Sequence, residues 1–357
     1  MKILYAFDSF KNSFHSGELG NIAVKSSRGI DRNNIYRYVS IADGGEGSLD
    51  AIEPFINGEK IYLDTLNAEG QDIKSYYIID KNTAYIEMAK TSGIENLNKR
   101  RTPILKRSSY GTGMVIKNAI EKGIKNIVLF VGGTATCDGG TGIIDAIYDR
   151  SRENSLKNDY KFSEELKYKN IKITIAVDVY NVLLGSGGAS YVYAPQKGAM
   201  EKEVILLEQR MSKIRDQIFR KFGIDVNREG TGAGGGVIAS LIPYFRTEIV
   251  SGFNFISAIV DLKKKISESD IIVTGEGKVD NQSFMGKTVG NIVKMTEGKG
   301  KLPVIICGYS EIEMKKYPIF AICRYKRAIF SKDEAIKAFA ETVMLFVLWS
   351  KICRKNC

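Results

Sequence analysis

Between residues 270 and 290 an apolar run, Ile271-Ile272-Val273, ends in a glycine turn, and Glu276, Lys278, Asp280, Gln282 and Lys287 follow along a loop and a helix-like stretch. Carboxylates and ammonium groups so spaced suit a phosphorylated ligand together with Mg2+. The apolar run predicts a strand, which would deliver these side chains to the carboxyl edge of a sheet, where open α/β sheets bind ligands. The glycines, Gly275 among them, would let a ligand approach the backbone.

Other segments repeat the pattern of apolar run, glycine and charge. Asp8-Ser9-Phe10-Lys11 follows the first apolar run; Lys11 could neutralise a phosphate, or Ser9 could simply cap a helix with Lys11 in solvent. Ala42-Asp43-Gly44-Gly45-Glu46-Gly47-Ser48 sets two carboxylates three apart in a glycine loop, an arrangement that can ligate Mg2+ or accept a hydroxyl proton, or else begin an acidic helix. Residues 131–142 hold five glycines, with Gly132, Gly133, Thr134 and Asp138 ahead of a helical pattern. Backbone amides freed by small residues at a helix start form an anion site. Asp178 and Asn181 follow the run 173–177, and Gln196 and Lys197 come soon after. Asp178 reads equally as a base or metal ligand and as a turn former.

Two familiar motifs fail. Gly230 to Gly236 contains a formal GxGxxG but follows Val226-Asn227-Arg228-Glu229 in place of a strand, and Gly286-Lys287-Thr288 lacks the first Walker A glycine, whose place is taken by Asn281.

The elements that must hold these groups are legible in the hydrophobic pattern. Runs at 2–6, 38–41, 127–131, 173–177, 271–273 and 304–306 are short, apolar and closed by Gly or Asp, with helical patterns between them. They predict a largely parallel α/β sheet. Residues 60–87 alternate closely without intervening helices, as antiparallel strands do, which predicts a second domain inserted into the first. The expected division is 1–58 with 265–357, and 59–264 inserted. Residues 149–169 are charged and poor in apolar groups, so a solvated excursion is expected. Residues 200–222 carry Ile205, Leu206, Met211, Ile214 and Ile218 at helical spacing and predict an amphipathic helix on the core.

Composition narrows the function. The chain has 357 residues, 44% of them hydrophobic, and a net charge of +11 spread among 41 acidic residues with no nucleic-acid module. Nucleic acid is therefore not expected as a partner. Five cysteines without a CxxC pair indicate neither a disulfide framework nor a zinc site, and a reducing cytoplasm is the simplest home. The apolar run 343–349 is far below the roughly 20 residues that span a bilayer, so no membrane partner is expected either. A single histidine, His15, excludes multi-histidine metal sites.

In order along the chain, Asp8-Ser9-Phe10-Lys11, Ala42 to Gly47, Gly132 to Gly142, Pro195-Gln196-Lys197-Gly198-Ala199, Gly230 to Gly236 and Thr274 to Lys287 resemble the signature blocks of the bacterial-type glycerate kinase family. Arg101-Thr102-Pro103 and Ser109-Tyr110-Gly111-Thr112-Gly113 also resemble its motifs. The resemblance implies a Rossmann-like parallel-sheet domain with a mixed α/β domain inserted and the site in the cleft between them. It also implies phosphorylation of D-glycerate with ATP and Mg2+ as cofactors, commonly giving 2-phosphoglycerate. Under it, Lys11, Asp43, Glu46 and Asp178 become catalytic candidates, and Gly132, Gly133, Thr134, Asp138, Gly275, Lys278 and Lys287 contact the nucleotide. Ser9, Arg101, Asn181, Gln196 and Lys197 contact the substrate, while Glu276 and Asp280 hold the metal. A homo-oligomer is left open.

Departures from the family pattern are Tyr180 and Val182 in place of Asp and Pro, Cys137 in place of Asn, and Lys278 in place of Arg. They motivate an alternative, a family member that binds nucleotide or hydroxy acid without turnover. A third reading, an NAD(P)-dependent oxidoreductase, rests only on the Gly230 block.

Overall fold

The computed structural model describes residues 1–10, 14–97, 102–157, 159–284, 286–312, 316–323 and 331–355. In chain order the strands are β1 (Lys2–Phe7), β2 (Ile35–Ser40), β3 (Glu59–Leu66), β4 (Asp72–Asp80), β5 (Thr83–Glu87) and β6 (Asn126–Phe130). They continue as β7 (Lys172–Ala176), β8 (Arg246–Val250), β9 (Ile271–Gly275), β10 (Lys278–Val279), β11 (Leu302–Ser310) and β12 (Ile319–Cys323). Contacts divide the chain into two compact units, one of Met1–Asp43, Asp50–Phe55 and Phe253–Cys357, the other of Gly44–Leu49 and Ile56–Gly252.

The first unit is built on an all-parallel sheet in the order β10–β11–β9–β1–β2, with β12 also parallel on β11. Strands covered on both faces need apolar side chains throughout, and Ile3, Leu4, Tyr5, Ala6 and Phe7 are all buried. The register Phe7 to Gly275 and Phe7 to Ser40 brings the carboxyl ends of β1, β9 and β2 to one edge. Helix Lys332–Lys355 buries Phe339, Val343, Phe346 and Val347 against a core, while Leu345 and Leu348 of the run 343–349 lie on its exposed face. Phe339 meets Phe7 edge-on at 5.6 Å and Phe346 meets Tyr5 at 6.3 Å, geometries that the ring quadrupole favours.

The second unit holds a six-stranded mixed sheet, β3–β4–β5–β6–β7–β8. As the alternation at 60–87 predicts, β3, β4 and β5 are antiparallel, whereas β5 to β8 run parallel. Helix Glu201–Phe222 packs Leu207, Met211, Ile214 and Ile218 into the core and ends at Gly223 in the left-handed region. Ile205 and Leu206, assigned to its apolar face from the sequence, are instead 46% and 44% exposed, because Val204 and Leu207 take the inward positions. The charged segment 149–169 is not a wholly solvated excursion. Tyr160 and Phe162 are buried in it, and Phe162 stacks against Tyr244. No strand precedes the Gly230 block, where Gly234, Gly235 and Gly236 carry positive φ inside helix Ala233–Leu241. The dinucleotide fingerprint thus lacks its structural context.

Candidate functional site

Four parallel strands of the second unit end at one level, since Glu87, Phe130, Ala176 and Val250 are successive partners across β5 to β8. Just beyond lie Gly132-Gly133-Thr134 after β6 and Asp178 after β7. The segment Gly44–Leu49 is seated on this edge: Gly132 N donates to Gly44 O at 3.1 Å. Gly44, at φ 86°, lies so close that a Cβ there would fall 2.5 Å from Ala176 O, and one on Gly132 would fall 2.6 Å from Gly45 Cα. Only glycine tolerates both the conformation and the approach. Glu46 consequently lies against Gly133, whose added Cβ would sit 3.4 Å from that of Glu46. Asp178 Oδ1 accepts from Ser251 Oγ at 2.7 Å.

Lys197, 6% exposed, donates to Thr136 O at 2.6 Å and Thr134 Oγ1 at 3.2 Å. Burial pushes its pKa down to about 8, with the neighbouring Cys137 and Asp138 opposing the fall. Arg107, also buried, donates to Lys197 O at 2.8 Å and holds the lysine's backbone. This edge of the second unit therefore carries a desolvated ammonium, held on Thr134 and Thr136 after β6, and the carboxylates of Glu46 and Asp178 at the ends of the neighbouring parallel strands.

Other residues named from the sequence are engaged elsewhere. Asp138 is fully buried, and its Oδ2 accepts from Ser109 N at 2.7 Å and Ser109 Oγ at 2.8 Å, while Oδ1 accepts from Gly140 N. With Gly142 N also on Asp138 and Ile143 N on Ser109 Oγ, the helix-start amides expected to bind an anion already have acceptors within the protein. Asp138 is a brace for the glycine loop. Asn181 Nδ2 donates to Gly187 O at 2.7 Å, and exposed Gln196 turns back to Val192 O. Cys137 is buried, which pushes its thiol up to about 11 and leaves it a small apolar filler.

In the first unit, Asp8 and Glu276 follow the aligned ends of β1 and β9. Asp8 Oδ1 accepts from Ser9 N at 2.7 Å, and Asp8 Oδ2 accepts from Thr288 Oγ1 at 2.8 Å. Thr288 opens helix Thr288–Glu297, for which exposed Lys287 is the N-cap. The Asp8 carboxylate at the strand end is thus tied to the helix N-terminus, with Lys287 at the helix start. Asp43 is half-buried just past β2. Lys278 Nζ lies 3.0 Å from Asp280 Oδ2 and 2.9 Å from Glu311 Oε2. Asp280 Oδ1 accepts the amides of Gln282 and Ser283, so it also shapes the turn into the following 3-10 segment. Gly275 makes room for a neighbouring strand, since a Cβ there would fall 1.6 Å from Ile306 O. Among the described residues no group of three or more His, Cys, Asp and Glu side chains is gathered for a metal. Lys11 and Arg101 lie outside the described residues.

Sequence reasoning passed over Glu87, Arg107, Thr288 and Glu311. Glu87 and Glu311 offered no local signal, whereas Thr288 stood beside a named lysine and Arg107 between two named motifs.

Lysines and carboxylates at the carboxyl ends of parallel strands, with protein amides and hydroxyls around them, are the groups that phosphoryl-transfer enzymes use. The fold matches a crystal structure from Salmonella typhimurium LT2 that carries a glycerate kinase 2 assignment, with a TM-score of 0.77, 26% identity and 99% of each chain covered. Residues 3–345 match the sequence model of the glycerate kinase family. The chain is 33% identical over 314 residues to glycerate 2-kinase of Escherichia coli K12, covering 82% of each. It is 31% identical over 322 residues to glycerate kinase of Halalkalibacterium halodurans, covering 86% of this chain and 85% of that one. The chain belongs to the glycerate kinase family.

Proposed function

We propose that this chain transfers the γ-phosphoryl group of ATP to a hydroxyl of D-glycerate, with Mg2+, giving 2-phosphoglycerate in the cytoplasm. The observation that carries this reading, beside the family, is the buried Lys197 on the same strand edge as Glu46 and Asp178. An ammonium and two carboxylates are what a hydroxy acid bearing its own carboxylate requires: one group to pair the acid and one to take the hydroxyl proton. Among the described residues no helix is long and apolar enough to cross a membrane.

In this reading Lys197 pairs the substrate carboxylate or the transferred phosphoryl group. Arg107 holds the lysine's backbone, and Thr134 Oγ1 holds its ammonium. Glu46 or Asp178 orients the attacking hydroxyl and accepts its proton, Ser251 fixing the Asp178 carboxylate for that task. Asp43 is a further candidate for the same role. The amides at the start of helix Thr288–Glu297, with Lys287, meet the nucleotide phosphates.

The donor set of the first unit fits Mg2+. Glu276 and Asp280 both lie in the short stretch that follows the end of β9, and Asp280 already pairs a cation, the Lys278 ammonium, at 3.0 Å. Mg2+ is commonly held by one or two carboxylates together with substrate phosphates. Asp280 and Glu276 would hold it. When bound, Mg2+ supplies neutralisation of the charge on the nucleotide's terminal phosphates.

A coupled ADP-release assay with D-glycerate, ATP and Mg2+ tests the reading, with 31P NMR of the product to distinguish the 2- from the 3-phosphate. Turnover no higher than that of an Asp178→Ala control refutes it, and a 3-phosphate product refutes the regiochemistry.

A further inference from the structure

Glu87, the last residue of β5, is 1% exposed, yet no part of its strand pattern calls for a carboxylate there. A buried carboxylate is costly unless donors surround it. Here Oε1 accepts from Gly47 N at 3.1 Å and Oε2 accepts from Leu49 N at 2.9 Å. These amides lie at the start of helix Ser48–Ile52, where backbone N–H groups lack intrahelical partners and the helix dipole favours a negative charge. The same segment is fastened by Gly132 N to Gly44 O, and its own turn is closed by Ser48 Oγ on Gly45 O at 2.6 Å. Glu46 lies between the attachments at Gly44 and Gly47, against Gly133. Its backbone position is therefore set on one side by the glycine contact with β6 and β7, and on the other by the Glu87 carboxylate.

We infer that Glu87 is a positioning residue for phosphoryl transfer: it latches the Gly44–Leu49 segment to the end of β5 and so fixes where Glu46 presents its carboxylate. The inference rests on the role proposed for Glu46 in glycerate phosphorylation. In this role Glu87 acts through the amides of Gly47 and Leu49 and not by contact with a reactant. Bond for bond, Glu87→Gln keeps the shape but replaces one acceptor oxygen with a donor, so that one of the two amides faces another N–H group.

The test pairs hydrogen exchange with kinetics on the full chain. In Glu87→Gln, exchange at Gly47 and Leu49 is expected to accelerate at least about tenfold while the amides of β6 and β7 stay protected. The kcat for glycerate phosphorylation is expected to fall at least about tenfold with KM for ATP within about twofold, since the loss lies in orientation rather than nucleotide binding. Glu87→Asp, which keeps the charge, is expected to fall between the two. Glu46→Gln combined with Glu87→Gln is expected to be no slower than Glu46→Gln alone, because both act through one carboxylate. Unchanged exchange at Gly47 and Leu49 overturns the latch, and so do unprotected amides there in the unaltered chain, which needs no variant to fold. Fully additive losses of kcat overturn the action through Glu46. An inactive unaltered chain overturns the functional reading instead, and exchange still decides the latch.

Discussion

Replacing Lys197 by methionine separates what its charge costs from what it does. Burial pushes the Lys197 pKa from 10.5 down to about 8, which corresponds to about 3 kcal/mol of penalty on the charged form. Lys197→Met removes that penalty and keeps most of the apolar stem, but it forfeits the bonds to Thr136 O and Thr134 Oγ1. Those losses are worth about 1 kcal/mol each, with a further ~1 kcal/mol for the carbonyl left without its donor. The contributions nearly cancel, so urea unfolding at pH 7 is expected to change by no more than about 2 kcal/mol in either direction. Turnover, in contrast, is expected to fall at least about a hundredfold, the usual consequence of losing a charge aimed at a reacting anion. The sign of the pH effect follows from the lowered folded-state pKa. Below about 8 the penalty is fully present, and it disappears as pH rises from about 8 towards 10.5, so the unaltered chain gains stability over the variant in that window. Its activity should decline over the same rise, as Lys197 loses its proton. A stability loss above about 4 kcal/mol would make Lys197 a structural prop. Activity within about threefold of the unaltered chain would show that its ammonium meets neither reactant.

Two further outcomes test the frame around the site. Gly275→Ala would drive a Cβ to 1.6 Å from Ile306 O, forcing β9 and β11 apart; a loss of more than about 3 kcal/mol in urea unfolding is expected, and one below about 1 kcal/mol refutes the packing argument. Burial pushes the Asp145 carboxyl up to about 7, against Arg150 Nε at 3.0 Å and the Tyr160 hydroxyl at 3.1 Å. A raised carboxyl pKa means that this group lowers stability as pH rises from about 4 to about 7. Asp145→Asn should flatten that slope, and identical slopes in the two proteins would refute the reasoning.

What the sequence revealed follows the range over which each interaction acts. Inner parallel strands such as β1, β6 and β9 were legible because both of their faces are buried, which leaves uninterrupted apolar runs such as Ile271-Ile272-Val273, whereas the half-exposed β8 carries no such run and was not. The hairpin of β3 and β4 was legible from its alternation. The packing of 149–169 was not, because Tyr160 and Phe162 are isolated anchors within a charged segment and carry no period. The site residues divide in the same way. Lys197 and Glu46 stood out beside glycines, but the partners that give each group its role lie far off in sequence. Glu87 binds amides 40 and 38 residues earlier, and Asp138 is bonded by Ser109 from 29 residues upstream. Asp138 therefore looked like a ligand-facing carboxylate, whereas Glu87 looked like an ordinary strand residue.

The pairing of β1 with β9 joins Ile3 to Ile271, and this sets the order in which a ribosome can supply the parts. The strand that lies between β9 and β2 is made first, yet one of its two neighbours emerges only after the whole of β3 to β8. Those six strands are contiguous in the chain and can complete their sheet while β1 still lacks β9. Early-made, apolar on both faces and kept waiting, β1 is the segment whose exposure during synthesis most favours wrong pairing. The second unit, by the same logic, is the first to become a finished sheet.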